Sequence, residues 1–308
     1  MSYYRSNFDF EKQLSLDQPI YPLKFNLSKV NYEFEYLFFF CGFSGVLNSP
    51  VHYPSKYFDY LSKLFDLELR SEKKPQSDYN FWWGDLSLFN ISKKINNKEF
   101  FWKFCIDNNI PYPKSSISSN EIGSLGKKII ARPKLGFSGI GHKFMNNEPS
   151  KIIGNDYIFS EYFERGFDFG LLIDNKSFSL YQNITKKNGQ YRGSLSMSDE
   201  RSSFLNSEAR RVSKIVRKSE NFRGKLIQLD GFVTLEKKIY FNEVNYRFTL
   251  GRIFHLIMCK WFPNQKGKLS IVKYSDYCSG LYDKSNNFCL TPKDNGFEYQ
   301  FGLVLEIS

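Results

Sequence analysis

The stretch that decides the fold lies at residues 226–252 and reads LIQLDGFVTLEKKIYFNEVNYRFTLGR. It predicts a β-hairpin whose strands run from Leu226 to Leu235 and from Lys238 to Val244. Polar residues lie among the apolar ones on both strands. Because a polar cluster would be poorly solvated among apolar neighbours, we favour a binding site over cross-strand polar residues on the surface.

Acidic and amide side chains converge on one face of this hairpin. Side chains two apart in a strand point the same way, so Glu243 and Asn245 share a face and Asp230 can lie opposite them. Oxygen ligands of this kind suit Mg²⁺. Arg247 lies on the same face, where a guanidinium can contact a phosphate. The hairpin therefore predicts a metal and phosphate site.

A glycine-bearing loop precedes the hairpin in RPKLGFSGIGHK, residues 132–143. Strands are predicted on either side of it, over Lys128 to Pro133 and over Ile140 to Phe144. Glycines let backbone N–H groups approach a phosphate but also serve ordinary turns, and both interpretations stay open. A Walker A motif is excluded, because His142 displaces Lys143 from the required position.

Two carboxylates flank a turn in IFSEYFERGFDFGLLI, residues 158–173. The turn joins predicted strands over Asp156 to Glu161 and over Phe169 to Ile173. Glu161 and Asp168 stand seven residues apart. They are either solvated surface charges or acceptors for a pair of ribose hydroxyls.

Two helices are predicted around these strands. The first begins after Asn96 or Asn97, which can cap it, and stops at Asn108. The second lies within Arg201 to Lys225, where apolar residues recur at helical spacing and basic residues occupy other positions. Its apolar residues are Leu205, Ala209, Val212 and Val216. A solvated basic face is the simplest interpretation.

The first 95 residues predict a small α/β unit. A helix is expected over Ser55 to Leu67, and a buried strand and turn over Tyr36 to Leu47. The polar segment Arg70 to Tyr79 contains Pro75 and is expected to be a loop.

The composition bounds the class of protein. The chain has 308 residues, enough for two or three compact units, and a net charge of +11, which favours anionic partners. Its longest apolar stretch is too short to cross a bilayer and no secretory signal is visible, so we expect a cytoplasmic protein. Five cysteines without CxxC spacing and three histidines without an HExxH arrangement argue against a disulfide framework and a zinc site.

The order of these clusters resembles the ATP-grasp superfamily over residues 95–255. In that family a lysine opens the helix before an IPxP-like strand, as Lys98 does in NNKEFFWKFCIDNNIPYP. The family usually has Lys-Pro before its glycine loop. Here Arg132 and Pro133 stand there, which is similar to carbamoyl-phosphate synthetase. The resemblance implies that Lys98 and Arg132 contact phosphates and that Lys134 shares this task.

The remaining landmarks imply the other contacts. Glu161 would lie near the adenine and Asp168 on the ribose, with the backbone of Tyr162 and Phe163 at the adenine edge. One or two Mg²⁺ would be held by Asp230, Glu243 and Asn245. The transferring phosphoryl group would be stabilised by Arg247 and Arg132. A mobile cover would be formed by Gly136, Ser138, Gly139 and Gly141.

The resemblance also implies a fold and an activity. The fold class is α/β (α+β), with an N-terminal α/β domain over 1–95, a lid subdomain over 96–160 and a C-terminal subdomain over 161–308, which carries an antiparallel sheet and helices. Members use ATP and Mg²⁺ to convert a carboxylate into an acyl phosphate that an amine attacks. The expected partners are small-molecule or peptide carboxylates and amines, including acidic ones. Candidates for substrate contacts are Arg192, Tyr246, Thr249 and Arg252.

Two alternatives stay open. A phosphotransferase of the same fold would leave the phosphate on a hydroxyl or an amine. A non-catalytic protein would use the basic helix to bind nucleic acid or an acidic tail without consuming ATP. Related ligases often form dimers, so a homodimer is a further expectation, whereas a membrane partner is not.

Overall fold

The computed structural model describes most of the chain. The described residues are 2–18, 29–43, 45–66, 70–72, 80–136, 139–146, 156–186, 189–222, 224, 226–293 and 295–308. They form two compact units. The central unit comprises Phe89–Tyr191 and Ser196–Arg247, and the terminal unit comprises the described parts of Met1–Leu88, Arg192–Leu195 and Phe248–Ser308.

Helices and strands are distributed along the whole chain. The strands are β1 (Tyr3–Arg5), β2 (Val46–Asn48), β3 (Ser71–Glu72), β4 (Asn80–Phe81), β5 (Ser115–Ser116), β6 (Lys128–Pro133), β7 (Lys143–Asn146), β8 (Tyr157–Glu161), β9 (Arg165–Ile173), β10 (Phe178–Thr185), β11 (Tyr191–Ser196), β12 (Ile227–Thr234), β13 (Ile239–Asn245), β14 (Gly267–Lys273), β15 (Asn287–Cys289) and β16 (Phe301–Ile307). The α-helices are α1 (Phe10–Leu16), α2 (Lys29–Glu33), α3 (Ser55–Phe65), α4 (Phe89–Asn96), α5 (Lys98–Asp107), α6 (Asp199–Lys218), α7 (Leu250–Trp261) and α8 (Tyr274–Cys278). Short 3-10 helices occupy Glu35–Phe40, Leu86–Leu88 and Ser119–Ser124.

The central unit contains two antiparallel sheets. In the larger one the strands lie in the order β13, β12, β9, β10. The smaller one has the order β5, β8, β6, β7. The predicted hairpin is confirmed as β12 and β13, and the predicted strand over Lys128 to Pro133 is confirmed as β6.

The core of the central unit lies between its larger sheet and three helices. α5 contacts β13, α4 packs on both, and α6 covers β9 and β10. The predicted apolar face of α6 is confirmed, because Leu205, Ala209, Val212 and Val216 are all buried in this core. α5 is confirmed as well, and Asn97 caps it by accepting hydrogen bonds from the Glu99 and Phe100 N–H groups.

The terminal unit is built from both ends of the chain. A parallel sheet has the order β3, β2, β1, β4. A group of antiparallel strands has the order β11, β14, β16, β15. The Tyr36 hydroxyl lies 2.7 Å from Thr291 Oγ1, and the Tyr57 hydroxyl donates to Leu290 O at 2.6 Å. The last residues thus pack with the first, and the expected division at 95/96 and 160/161 stays a prediction.

Three expectations need correction. The segment Glu35–Phe40 is a 3-10 helix rather than a strand, because a continuously apolar run has no periodicity that separates the two. β7 begins at Lys143 rather than Ile140, since Gly139 and Gly141 adopt positive φ angles of 72° and 77° and hold a turn there. Within the expected loop Arg70 to Tyr79, the described residues Ser71–Glu72 form a strand.

Among the residues described, the longest helices are too short or too polar to cross a bilayer.

The buried face of α6 predicts contrasting effects for two neighbouring residues. Leu205 is 1% exposed and Phe204 is 42% exposed. Leu205→Ala should lower the free energy of unfolding by about 2–4 kcal/mol, because it leaves a cavity in a packed core. Phe204→Ala should change it by less than about 1 kcal/mol. Urea unfolding of both variants measures this difference, and equal losses would contradict the packing described for α6.

Candidate active site

The β12–β13 hairpin brings two carboxylates face to face. Asp230 pairs directly with Glu243 across the strands. The Asn245 side chain donates to Asp230 Oδ2 at 2.7 Å, and those of Gln228 and Asn183 donate to Oδ1 at 2.9 and 3.1 Å. Burial raises the pKa of Asp230 to about 6, and repulsion from Glu243 adds to this. Asp230, Glu243 and Asn245 therefore lie together on the hairpin, and their role as metal ligands stays a prediction.

Lys98 lies against this pair, at the start of α5. Its side chain is 2% exposed, and its Nζ lies 3.1 Å from Glu243 Oε1. The same ammonium donates to Gly136 O at 2.9 Å. Burial lowers the pKa of Lys98, whereas Glu243 opposes that shift. Burial would raise the pKa of Glu243, but the attraction of Lys98, Arg132 and Arg247 outweighs it and lowers that pKa.

Arg132 is held by protein groups at the end of β6. Its side chain is 3% exposed. The guanidinium donates to Asn242 O, to the Tyr112 hydroxyl and to Ser160 Oγ at 2.9–3.0 Å. Its Nε is buried and has no hydrogen-bond partner among the described residues. Arg132 therefore ties the two sheets together, and its contact with a phosphate stays a prediction.

Lys134, the other cation expected at a phosphate, pairs with the first turn of α5. Its Nζ lies 2.7 Å from Glu99 Oε2. The Lys134 carbonyl also accepts a hydrogen bond from the Lys98 N–H at 2.9 Å. An ion pair and a hydrogen bond thus connect Lys134, at the start of the glycine loop, to α5, the helix that carries Lys98.

The glycine loop closes on Pro133. A Cβ atom on Gly141 would lie 2.9 Å from the proline ring, and one on Gly136 would lie 3.3 Å from it. The close approach explains why small residues stand at both positions. Gly139 lies in the turn before β7, whereas Ser138, expected in the same cover, lies outside the described residues.

His142 follows this loop and belongs to the site, although it was not predicted there. Burial lowers its pKa to about 4, and the positive charge of Arg132 contributes. Its Nδ1 is buried without a hydrogen-bond partner among the described residues. The imidazole is therefore neutral at pH 7 and can accept or donate one further hydrogen bond.

The end of β8 borders a small cavity. The cavity lies between Glu161, Tyr162 and Phe163 on one side and Arg132 and Phe232 on another. Its volume is about 10 Å³, room for about one water molecule, so a base can enter only if these side chains move. The Tyr162 N–H already donates to a carbonyl, that of Lys128, at 2.9 Å.

Aromatic rings form one wall of that cavity. The Phe163 ring stacks on Tyr240, with centroids 4.8 Å apart and planes inclined by 17°. The Arg165 guanidinium lies 4.5 Å from the centre of the Phe232 ring. Phe163 and Phe232 thus already contact other side chains, which would have to move before a planar ligand could stack on these rings.

Asp168 already has hydrogen-bond donors within the protein. It accepts a hydrogen bond from Arg165 at 2.6 Å and another from the Thr185 hydroxyl. A ribose hydroxyl would have to share or displace these donors, so the expected ribose contact stays a prediction.

The remaining candidates divide between the units. Arg247 belongs to the central unit, and its charge acts on both Asp230 and Glu243. The Tyr246 N–H donates a hydrogen bond to Asn96 Oδ1 at 2.8 Å. The other three belong to the terminal unit, where Thr249 caps α7, Arg252 stacks 3.6 Å from the centre of the Phe248 ring, and Arg192 lies in β11.

Sequence reasoning missed the groups that orient Asp230. Gln228 lies two residues before it on β12 and so shares its face, a signal that was available in the sequence. Asn183 comes from β10, and only the strand order places it near. No cluster of three or more histidine, cysteine or acidic side chains able to hold a metal is present in the described part of the chain. The set of two carboxylates and one amide suits Mg²⁺, which keeps water and phosphate ligands.

Known proteins resemble this chain in their three-dimensional structure. No protein-family model and no curated protein matches its sequence. N5-carboxyaminoimidazole synthetase from Staphylococcus aureus superposes with a TM-score of 0.56 at 11% identity, over 100% of this chain and 93% of that one.

A related structure is N5-carboxyaminoimidazole synthase from Aspergillus clavatus, in complex with ADP and an aminoimidazole ribonucleotide. It has a TM-score of 0.53 at 9% identity and covers 78% of this chain and 76% of that one. The biotin carboxylase domain of Hydrogenobacter thermophilus 2-oxoglutarate carboxylase, in complex with MgADP, ADP and bicarbonate, has a TM-score of 0.54 at 10% identity. This match covers 75% of this chain and 65% of that one.

Both kinds of enzyme are ATP-grasp carboxylate–amine ligases. The chain has the ATP-grasp fold. The ATP-grasp fold accounts for the order of the landmarks along the sequence, from Lys98 through the glycine loop to the β12–β13 hairpin. The expected fold class, α/β (α+β), is also confirmed, because helices occur together with parallel and antiparallel sheets.

The buried Lys98–Glu243 pair predicts a large coupling energy. Lys98→Met should lower the free energy of unfolding by about 2–4 kcal/mol, because it leaves Glu243 buried without its partner. Adding Glu243→Gln should recover part of the loss, which gives a coupling energy above about 1.5 kcal/mol in a double-mutant cycle. The control is the Lys103–Glu99 pair on α5, in which Lys103 is 59% exposed and coupling should stay below about 0.5 kcal/mol. Urea unfolding gives both values, and similar values would contradict the role of burial.

Asp230 predicts a dependence of stability on pH. Its pKa rises from 3.8 to about 6 on folding, so the folded chain binds more protons than the unfolded chain between these values. The contribution of Asp230 to stability is therefore present below about pH 4 and is lost as the pH rises towards 6. The free energy of unfolding of the parent, relative to Asp230→Asn, should fall by about 1–3 kcal/mol over this range.

The measurement is urea unfolding in metal-free buffer at several pH values. Asp174→Asn is the control of opposite sign. Burial opposes it, but hydrogen bonds from Ser177 and from backbone N–H groups lower the pKa of Asp174. Its stabilising contribution should therefore appear as the pH rises. A difference between the parent and Asp230→Asn that is independent of pH would contradict the raised pKa.

Proposed function

We propose that the protein is an ATP-dependent ligase that activates a carboxylate as an acyl phosphate for attack by an amine. The observation that carries this proposal is the convergence of Asp230, Glu243 and Asn245 beside Lys98 and the glycine loop, on an ATP-grasp fold. Solved structures with a similar fold include complexes with ADP and with MgADP. ATP and Mg²⁺ are accordingly the proposed co-substrate and metal.

The donor set fits a divalent cation on physical grounds. Asp230 and Glu243 face each other and repel, which contributes to the raised pKa of Asp230. A cation between the two carboxylates would remove this repulsion, and Asn245 would offer an amide oxygen after its side chain turns. Bound there, Mg²⁺ would neutralise charge on the phosphates of ATP.

The other charged groups would act on the phosphates and the base. Lys98 and Arg132 would hold phosphates, the former after it leaves Glu243 to the metal. Arg247 would stabilise the phosphoryl group in transfer. Glu161, the backbone of Tyr162 and Phe163, and Asp168 would select the nucleoside. Closure of the glycine loop would keep water from the acyl phosphate.

The proposed reaction has two steps. A carboxylate oxygen of the substrate attacks the γ-phosphorus of ATP, and ADP leaves. The amine nitrogen then attacks the acyl carbon, phosphate leaves and the amine loses a proton. Among similar structures, the ligands include an aminoimidazole ribonucleotide and bicarbonate, so small amines and small carboxylates, bicarbonate included, are the first substrates to screen.

Nucleotide binding tests the site. Calorimetry should show micromolar binding of ATP in the presence of Mg²⁺, and Glu243→Gln should weaken it at least about tenfold because it removes a charged metal ligand. Glu236→Gln is the matched control, since Glu236 is exposed in the turn of the same hairpin. It should bind like the parent. Absence of binding, or equal effects of the two changes, would overturn the proposal.

The products separate a ligase from a phosphotransferase. A ligase releases ADP and inorganic phosphate only when both carboxylate and amine are present. A phosphotransferase retains the phosphate on its substrate, which phosphorus NMR detects directly.

A further inference from the structure

A second cavity lies in the terminal unit, and its lining contains none of the residues assigned to the nucleotide. Its volume is about 430 Å³. Cavities of this size accept small organic ligands. One wall comes from the first turns of α3 and the other from α8 and the segment that contains β15. The residues of the proposed ligase site contribute nothing to its lining.

Three tyrosines give this cavity an aromatic lining, Tyr57, Tyr60 and Tyr277. Their hydroxyl groups form hydrogen bonds with main-chain groups. Tyr57 donates to Leu290 O at 2.6 Å, Tyr277 donates to Thr291 O, and Tyr60 accepts from the Cys289 N–H at 3.1 Å. The rings are therefore fixed. Tyr57 and Tyr277 are 6% and 0% exposed, whereas Tyr60 is 37% exposed and offers carbon surface suited to another planar ring.

The charge of the lining is positive. It contains three lysines, Lys56, Lys284 and Lys293, and one carboxylate, Asp283, so the sum is +3 − 1 = +2. Lys293 Nζ lies 3.4 Å from Asp283 Oδ1. Like charges gathered around an apolar cavity favour an anion within it.

One buried acceptor also lines the cavity. Asn287 donates through Nδ2 to Tyr282 O at 3.0 Å, whereas its Oδ1 is buried without a hydrogen-bond partner among the described residues. Buried acceptors are normally satisfied, so a ligand with an N–H or O–H group would complete this one.

We propose that this cavity binds a small aromatic anion that carries an N–H or O–H donor. The Tyr60 ring stacks on its aromatic part, the lysines attract its anionic group and Asn287 Oδ1 accepts its donor. The site is separate from the proposed ligase site, and its occupation requires no ATP.

The probe is 8-anilinonaphthalene-1-sulfonate, which combines aromatic rings, a sulfonate and an N–H group and fluoresces when it leaves water. Lys284→Glu should raise its dissociation constant about fivefold or more, because it reverses one charge of the lining. Lys268→Glu is the matched control. Lys268 is exposed on β14, outside the lining, and this variant should bind the dye within about twofold of the parent. Circular dichroism confirms that both variants are folded.

The neutral analogue N-phenyl-1-naphthylamine lacks the sulfonate and should bind the parent and Lys284→Glu equally. Titrations with and without MgADP separate the cavity from the nucleotide site. Loss of all dye fluorescence on adding MgADP would assign the dye to the nucleotide site and overturn the proposal.

Cys289 reports occupation of the cavity directly. Its thiol lies 3.7 Å from Asp283 Oδ1 in the lining, and burial raises its pKa. At alkaline pH, bound dye should slow alkylation of Cys289 by iodoacetamide at least about threefold, as measured by peptide mass spectrometry. Cys278 is exposed outside the lining and should react at the same rate with or without dye. Equal rates at Cys289, or binding indifferent to Lys284→Glu, would overturn the proposal.

Discussion

The ammonium of Lys98 is buried, and the arrangement of the central unit depends on how it is compensated. A buried ammonium needs an opposite charge and hydrogen-bond acceptors, because its hydration is lost. Glu243 on β13 supplies the charge, and the Gly136 carbonyl supplies an acceptor. One side chain thus fixes the start of α5, the edge of the larger sheet and the glycine loop relative to one another. The cap from Asn97 holds the helix end in place for this contact.

The charge balance around this ammonium fits the nucleotide and the metal that we propose for this site. Lys98, Arg132 and Arg247 supply three positive charges to the surroundings of Glu243. Asp230 faces the same glutamate and is pushed towards its protonated form. The three positive charges exceed the negative charge of Glu243, and the carboxylates of Asp230 and Glu243 repel each other. A polyanion would balance the excess positive charge, and a divalent cation would remove the repulsion between the two carboxylates.

Much of the central unit could be predicted from the sequence, and the reason is local. α5 has a capping asparagine and a one-sided apolar pattern, and β12 and β13 are rich in β-branched and aromatic residues on either side of a short turn. The apolar face of α6 repeats at helical spacing. By contrast, the bonds of Arg132 to Asn242 and Tyr112, and of Asp168 to Arg165, depend on how strands are ordered and which rotamers the packing selects. The periodicity of the sequence therefore does not predict these contacts.

The continuous apolar run before residue 41 was misread for a related reason. All of Glu35–Phe40 is buried, so hydrophobicity does not vary around the segment, and a strand and a 3-10 helix have the same sequence pattern. For the strands after α7 no element is predicted from the sequence, because their positions depend on pairing between separate segments rather than on a local pattern. Among the described strands, β14 pairs with β11 and β16, and β16 pairs with β14 and β15.

The joining of both chain ends in the terminal unit has a consequence for the order of folding. Tyr36 and Tyr57 form hydrogen bonds with Thr291 and Leu290, more than 200 positions later. During synthesis the first 88 residues would leave the ribosome long before these partners exist, whereas the central unit has all of its own residues available earlier. Contacts of such high sequence separation form slowly, and exposed apolar surface in the waiting segment is prone to aggregation. The aromatic N-terminal region is therefore the part of this chain that would most benefit from a chaperone until translation ends.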